Sequence, residues 1–527
     1  MHNIKIKTLI AAILYAFVCN PTIAQTKPGR ILSANLNQIK GALNKNFKSC
    51  VGAGRANEGL RADWQRQLKM AKEDCGFEYI RFHGLLHDDM GVYSEDKTGK
   101  PVYNWQYVDE LFDFILRIKM KPFVEIGFMP GQLASGDKTI FWWKGNVTPP
   151  KDYQKWNSLI KAMVSHWKER YGEKEVASWY FEVWNEPNLK DAFFTGTQQD
   201  YFKLYKETAN AIKSVSANYR VGGPATAGNA WIPETIEFCV QNKAPIDFIS
   251  THDYGVKQGY LDVNGDAGTV LSSNRHAVSD NMLRSKQQIL SSALPHLELH
   301  YTEWSSSYTP ADPMHDSYHS AAYILNVVKR AAPMVNSMSY WTFTDIFEEA
   351  GPRVTPFHGG FGMLNYQDIK KPAYYAYKYL NQLGDTELSN TDSSAIICKD
   401  VKGNIQALFW DFTIDHPGDT VNNQVFYKRD LPSKNTPTLN LKLTGLKPGR
   451  YNLTTYKTGY GANDTYLSYL KMGSPAQLTK EQVRLIKEQN AGKPLQIRTI
   501  TIGKSGKLDQ EFSMRQNDVF LVTIDKI

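Results

Sequence analysis

Residues 179–188 read WYFEVWNEPN. Their aromatic and β-branched side chains are typical of a buried β-strand. Pro187 has no N–H to donate to a neighbouring strand, so the strand must end close to it. Glu186 therefore stands at the carboxyl end of a strand, and α/β enzymes place their catalytic groups at such ends.

A second carboxylate stands at the end of another predicted strand. Residues 297–304 read LELHYTEW, and Glu303 lies near their end. One glutamate at a strand end is most simply a partner in a salt bridge. Two of them on separate strands supply what hydrolysis of a glycosidic bond requires: one group protonates the leaving oxygen, and the other attacks the sugar or activates water. The sequence therefore predicts a pair of catalytic carboxylates.

Strand-like and helix-like stretches alternate along the first part of the chain. Apolar residues at helical spacing, as in 105–119 and 153–170, separate short apolar runs. This alternation predicts an α/β fold with a parallel sheet, closed as a (β/α)8 TIM barrel. The predicted barrel strands are 48–54, 77–83, 122–128, the stretch that begins at 179, 219–223, 246–253, 297–303 and 337–343.

The pattern changes after Gly384. Short alternating runs separated by turn residues, from 395–398 to 519–524, are typical of a β-sandwich. We therefore predict three regions in the chain. They are an export signal in residues 1–24, a catalytic barrel in 25–384 and an accessory all-β sandwich domain in 385–527.

The first residues have the composition of a secretory signal. A basic start precedes an apolar run, 9–18, that is too short to cross a membrane, and small residues at 22–24 precede Gln25. We expect export to the periplasm or the extracellular space. Lipidation at Cys19 is the alternative, which the bulky Val18 disfavours. No other stretch predicts a membrane span.

Composition argues against several classes of function. The formal net charge is +8 over 527 residues and no block of Lys and Arg stands out, so nucleic-acid binding is not expected. The cysteines after the predicted signal are too widely spaced for a metal-binding pattern. They are Cys50, Cys75, Cys239 and Cys398. The sequence predicts neither a cofactor nor a metal, and it leaves the oligomeric state open.

Several motifs together resemble one enzyme family. WNEPN and TEW are similar to the motifs that carry the catalytic glutamates in a large clan of (β/α)8 retaining glycosidases. The stretches YIRFHGLLHDDMGVY (79–93), THDYG (251–255) and YWTFTDIFEEAGPRVTPFHGGFGMLN (340–365) narrow the resemblance to glycoside hydrolase family 39. The β-xylosidase branch is resembled more than the α-L-iduronidase branch. In this family, N-terminal residues can complete the sandwich domain.

The resemblance implies roles for individual residues. Glu186 would be the general acid/base, Glu303 the nucleophile, and Asn185 a hydrogen-bond partner of the sugar 2-hydroxyl. The other expected substrate contacts are His83, His252, Tyr254, Trp341 and either Glu348 or Glu349. Because Glu348 and Glu349 fall in a predicted loop, strand alternation does not choose between them.

Arg81 is expected to support the site from below. It shares a strand face with His83, which places it one layer deeper in the barrel. A buried arginine needs a carboxylate partner. The candidates are Glu125, Glu182 and Glu303.

Two long loops flank the predicted catalytic rim. Residues 129–150 contain Phe141, Trp142 and Trp143, and an exposed Trp there could stack on a sugar. The alternative is that these rings only pack the loop against the barrel. Residues 256–275 are rich in Gly, Asp, Asn and Ser and predict a mobile loop over the site.

The expected function is that of an exported retaining glycoside hydrolase. It would remove β-D-xylose from non-reducing ends through a covalent glycosyl-enzyme. One alternative is another specificity of the same family, α-L-iduronidase-like or arabinopyranosidase-like. The other is a carbohydrate-binding protein without activity, built on the same barrel. Each of these alternatives makes a carbohydrate the partner.

Overall fold

The computed structural model describes residues 29–527 except 262–266, 417 and 419. The predicted export signal, with Cys19, lies outside the described residues, and export remains a prediction. Within the described part of the chain, no helix combines the length and the apolar character that crossing a membrane requires.

Eight parallel strands close into a barrel in which each strand pairs with its neighbours in the chain, and the last pairs with the first. The predicted (β/α)8 fold is thereby confirmed. The strands are β1 Cys50–Arg55, β2 Tyr79–His83, β3 Lys121–Ile126, β4 Tyr180–Val183, β5 Arg220–Thr226, β6 Phe248–Tyr254, β7 Glu298–Ser305 and β8 Ser337–Tyr340.

One long helix follows each barrel strand and covers the outside of the sheet. The helices are α1 Ala62–Cys75, α2 Gln106–Arg117, α3 Tyr153–Tyr171, α4 Gln198–Val215, α5 Ile232–Asn242, α6 Ala277–Leu290, α7 His319–Ala331 and α8 Pro372–Asn381. Local signals explain several boundaries. Asp152 caps α3 by accepting from the N–H groups of the first turn, Thr197 and Asp200 form a capping box on α4, and Gly76 ends α1 with a left-handed φ of 78°.

An aromatic layer closes the amino-terminal end of the barrel. Its rings belong to Phe123, Tyr180, Phe248 and His300, with centroids between 4.6 and 5.6 Å apart. Burial of each of the two phenylalanine rings contributes roughly 1.5–3 kcal/mol to stability. On β4, Tyr180 precedes Glu182 by one inward-facing step, so the polar residues stack above this layer, toward the carboxyl end. A pocket can therefore open only at that end.

The second domain consists of two β-sheets. Arg30–Asn35, Leu439–Thr444 and Leu508–Phe512 form one sheet. The other runs in the order Ile39–Ala42, Thr386–Leu388, Ala395–Lys399, Ile405–Trp410, Val519–Lys526, Gly449–Thr458 and Gln496–Ile502. The two strands from the beginning of the described chain thus lie in the sandwich rather than in the barrel. Helices Thr465–Lys471 and Lys480–Gln489 lie between its strands in sequence.

The prediction of a loop over residues 256–275 is wrong for most of that segment. Val256–Leu261 and Ala267–Leu271 pair as an antiparallel hairpin that follows β6. The sandwich domain holds it through Gln424, which accepts a hydrogen bond from the Thr269 N–H at 2.8 Å. Composition favoured a loop, but tertiary contacts such as this one outweigh local propensity.

Candidate active site

Glu186 and Glu303 come together at the carboxyl rim of the barrel. Both side chains are buried, with 8% and 5% of each residue exposed. One carboxylate oxygen of each lies within 4.8 Å of the other, and His252 Nδ1 lies 2.9 Å from Glu186 and 3.6 Å from Glu303. Glu186 has a left-handed φ of 46°, and its N–H donates to the Ala225 carbonyl of β5 at 2.8 Å. Strained backbone of this kind is concentrated at functional sites.

The Glu303 carboxylate receives a donor on each oxygen. Arg81 donates through Nη1 to Oε1 at 2.6 Å, and the Tyr254 hydroxyl donates to Oε2 at 2.6 Å. Both contacts stabilise negative charge on Glu303. A carboxylate held in this way can act as a nucleophile or as a base.

The environment of Glu186, in contrast, favours the protonated form of its carboxyl. Burial raises the pKa of its carboxyl to about 7, so a large fraction of it holds a proton near neutral pH. Its Oε1 lies 2.9 Å from His252 Nδ1, and the other ring nitrogen of His252 lies 3.1 Å from the Thr302 hydroxyl. Burial lowers the pKa of His252 to about 4, so the imidazole is neutral. A buried carboxyl with a raised pKa is suited to the role of general acid.

Arg81 lies beneath both glutamates and is fully buried. Its Nε donates to Glu182 at 2.7 Å and its Nη2 donates to Asn185 Oδ1 at 2.8 Å, in addition to the bond to Glu303. Glu125 lies 2.9 Å from the same Nη2. The guanidinium thus touches all three carboxylates that the sequence offered as partners. Although burial opposes its charge, these anions raise the pKa of Arg81 above its usual value.

We expect Arg81→Met to lower the free energy of unfolding by roughly 3–5 kcal/mol, because Glu182 and Glu125 would lose their buried counter-ion. Urea titration of the two proteins measures the difference. Arg66→Met is the matched control, since Arg66 is about half exposed and its ion pair with Asp368 contributes little. Equal midpoints for wild type and Arg81→Met would contradict a supporting role for this arginine.

His83 borders the pocket at the end of β2. Its Nδ1 lies 2.6 Å from the Glu125 carboxylate, which leaves Nε2 directed at the space above Glu303, 3.6 Å away. Burial lowers the pKa of His83 to about 3, so this ring is also neutral. The sequence offered Glu125 only as a partner of Arg81, and its role in orienting His83 was not predicted. Glu125 pairs with Glu182 on the neighbouring strand and faces the barrel interior as Glu182 does, and this shared direction could have indicated its position.

Trp341 forms an apolar wall of the pocket. Its ring lies 4.9 Å from the His83 ring and 5.7 Å from the Arg81 guanidinium. Gly52 on β1 makes room for it, since a Cβ on this glycine would come within 2.3 Å of the indole. A substitution at Gly52 would push Trp341 into the pocket.

The loop after β8 resolves the choice between two adjacent glutamates. The Glu349 side chain is only 16% exposed, and its Oε1 lies 3.6 Å from His83 Nε2. Burial and the nearby charges of Glu303 and Glu186 raise the pKa of Glu349 well above its usual value. Its carboxyl therefore faces the pocket.

Glu348 points the other way, so its prediction as a substrate contact disagrees with the structure. Its carboxylate pairs with Arg55 at 2.8 Å and with Arg61 at 3.2 Å, and its N–H donates to Glu58 at 2.8 Å. These ion pairs fix the loop behind the pocket. The remaining residues expected at the site, which are Asn185, His252, Tyr254 and Trp341, all lie in contact with Arg81, with a catalytic glutamate or with His83.

The same geometry offers a donor set for a cation. Glu186, His252 and Glu303 each present one ligand atom, and these atoms lie within 4.8 Å of one another. Two carboxylates and an imidazole are ligands that Zn²⁺ accepts. Each of the three side chains is also hydrogen-bonded within the network of Thr302, Tyr254 and Arg81. The arrangement is thus complete for acid–base and nucleophilic chemistry.

A closed (β/α)8 barrel with two buried glutamates facing each other at its carboxyl rim defines the class of this protein as glycoside hydrolase. Comparison with known families agrees. Residues 32–509 match the family described as "Glycosyl hydrolases family 39". The chain therefore belongs to glycosyl hydrolase family 39 and is an enzyme that acts on carbohydrates, and the predicted family is confirmed.

Individual relatives place the chain near the β-xylosidases. It is 41% identical to a β-xylosidase of Caldicellulosiruptor saccharolyticus over 458 residues, which cover 86% of this chain and 90% of that protein. It is 44% identical to a β-xylosidase of Geobacillus stearothermophilus over 380 residues, or 70% of this chain and 75% of the other. The crystal structure of the GH39 enzyme from Xanthomonas axonopodis pv. citri superposes with a TM-score of 0.92 at 42% identity, covering 96% of this chain and all of that one.

Proposed function

We propose that this enzyme is a retaining β-D-xylosidase that removes one xylose at a time from non-reducing ends. The separation of the two carboxylates carries the proposal of a retaining mechanism. Carboxyl groups about 5–5.5 Å apart suit direct attack on the sugar, whereas inverting enzymes need about 6.5–9.5 Å to admit a water. Oxygens of Glu186 and Glu303 within 4.8 Å of each other favour the first arrangement.

In the first step, Glu303 attacks the anomeric carbon while Glu186 gives its proton to the leaving oxygen. Arg81 and Tyr254 hold the attacking carboxylate in place through one bond to each oxygen. Formation of the glycosyl ester removes the negative charge of Glu303, which lowers the cost of ionising Glu186. In the second step Glu186 takes a proton from water, and the resulting hydroxide releases the sugar with its original configuration.

The charges around the pocket support a neutral sugar. A uronate would bring its own carboxylate among Glu349, Glu303 and Glu186, where burial already disfavours negative charge on Glu349 and Glu186, and a site for it needs a cation free to pair with it. Arg81 is buried beneath the site, and its guanidinium is already bound by carboxylates. The hydroxyls of xylose, in contrast, can donate to and accept from these glutamates. Similarity to β-xylosidases over most of the chain supports the same sugar.

Arg353 is the residue on which the iduronidase-like alternative depends. It is half-buried in the loop after β8, and among the described residues it has no hydrogen bond or ion pair. A uronate could bind there only if this side chain turned toward the sugar. The sugar of the arabinopyranosidase-like alternative differs from xylose in the configuration of one hydroxyl group. The charges of the pocket do not distinguish between these two neutral sugars.

We expect the highest kcat/KM on p-nitrophenyl β-D-xyloside, a lower value on the α-L-arabinopyranoside, and little or none on the α-L-iduronide. The measurement is release of p-nitrophenol from all three at one pH. Preference for the iduronide would overturn the neutral-sugar assignment. No hydrolysis of any of the glycosides, together with measurable binding of xylose, would favour the non-catalytic alternative. The presence of both buried glutamates opposes that alternative.

A further inference from the structure

The loop after β3 extends across the rim of the barrel, above β2 and β1, to the loop after β8. Within it, Thr139–Ile140 pairs with Gly145–Asn146, and Phe141, Trp142, Trp143 and Lys144 form the tip of this small hairpin. We call residues 139–146 the strap. Phe141 and Lys144 have left-handed φ values of 67° and 58°, so the tip is tightly turned and displays its three aromatic rings in different directions.

Two of the three rings attach the strap to the rim above β1 and β2. The Phe141 ring stacks on His83 at the end of β2, with centroids 6.1 Å apart. Trp143 is 6% exposed, lies edge to face with His87 at 5.0 Å, and covers the Arg55 guanidinium at 5.5 Å. The strap therefore passes over the loops that follow β1 and β2.

Trp142 joins the strap to the loop after β8. Its backbone N–H donates to the Glu349 carbonyl at 2.7 Å. Its indole lies against Gly351, where an added Cβ would come 3.2 Å from the ring. Despite these contacts, 57% of Trp142 is exposed, unlike Trp143. The loops after β3 and β8 are thereby connected to each other above the two strands that lie between them.

The connected side of the pocket is the side that holds the glycone. The leaving oxygen must lie at Glu186, which protonates it from β4 and contacts His252 on β6. The sugar being transferred lies on the other side of that bond, toward His83, Trp341 and Glu349. A further sugar attached to its non-reducing end would have to occupy the space that the strap fills.

We infer that the strap closes the glycone side of the pocket after a single sugar and that the Trp142 indole, packed on Gly351, holds the tip of the strap over that side. Trp142 is a specificity-determining residue, and its anchoring on Gly351 excludes a second glycone unit. This inference rests on the proposed function, because it assigns the glycone side from the acid role of Glu186.

The test uses two aryl glycosides, the p-nitrophenyl monosaccharide and disaccharide of whichever sugar the wild-type enzyme hydrolyses best. If that sugar is not xylose, the substrate proposal fails while the strap is still tested. On the disaccharide, the wild-type enzyme should release the terminal sugar first, so p-nitrophenol should appear only after a lag. Trp142→Ala should release the intact disaccharide and p-nitrophenol together, with at least a tenfold rise in that product relative to wild type.

Trp142→Phe is the matched variant, because a phenyl ring still covers Gly351, and it should retain the lag. Tyr107→Ala removes another exposed aromatic ring, on α2 outside the catalytic rim, and should behave as wild type. Intact disaccharide released by the wild type would overturn the inference. So would a Trp142→Ala enzyme with normal activity on the monosaccharide and no disaccharide product. Should that variant not fold, replacement of residues 141–143 by three glycines opens the same side.

Discussion

Replacing Glu303 with alanine should abolish hydrolysis of every glycoside. The covalent step then has no nucleophile, and the loss should be on the order of 10⁴- to 10⁶-fold, as when other covalent-catalysis residues are removed. Arg81 and Tyr254 would also lose the carboxylate to which they donate. The measurement is kcat with an activated aryl xyloside, for which leaving-group departure needs little help.

Azide distinguishes loss of the nucleophile from general damage to the site. In Glu303→Ala it should enter the vacated space, attack the anomeric carbon directly and restore turnover. One displacement inverts the configuration, so a β-xyloside should give the α-xylosyl azide. Recovery of the β-azide would place the nucleophile elsewhere.

Glu298→Ala is the matched control for this experiment. Glu298 begins the same strand, β7, at the closed end of the barrel, where it contacts His300 and Tyr180. Its removal should leave kcat within about twofold, since it lies below the aromatic layer and touches neither catalytic glutamate. A large loss in this variant would indicate that any change in β7 disturbs the site.

The barrel was predictable because its signals are local. Aromatic and β-branched runs that end near Pro187 or Trp304 mark strands by composition alone, and helical periodicity marks the intervening segments. Parity along β2 and β6 likewise places Arg81 below His83, and His252 beside Tyr254. Once strands are recognised, the side chains that share a face follow from the period of two.

The choice between Glu348 and Glu349 was not predictable, because it depends on contacts from the other end of the barrel sequence. Arg55, which ends β1, and Arg61, which follows it, pair with Glu348 and so turn its neighbour into the pocket. A loop has no fixed period from which this direction could be derived. The prediction of a loop after β6 was wrong for the same reason, since a distant residue, Gln424 of the sandwich domain, holds the hairpin.

Replacing Glu186 with alanine should have an effect that depends on the leaving group. General acid catalysis contributes roughly 10²–10⁴-fold, so xylobiose and alkyl xylosides, which leave as strong bases, should lose about that much. A dinitrophenyl xyloside needs no proton on its leaving oxygen, and its first step should proceed almost unchanged. Azide should then react with the accumulated glycosyl-enzyme and give the β-xylosyl azide, opposite in configuration to the product of Glu303→Ala.

The pH profile gives an independent reading of the same role. Burial holds the pKa of Glu186 near 7, so the protonated fraction of the free enzyme falls as pH rises through that value. For wild type we therefore expect kcat/KM on xylobiose to decline above about pH 7, as the acid is lost. In Glu186→Ala the residual activity on xylobiose should no longer show this alkaline limb. If the limb persisted there, or if both leaving-group classes lost activity equally, Glu186 would not be the proton donor, and the acid would have to be sought among His252 and Glu349.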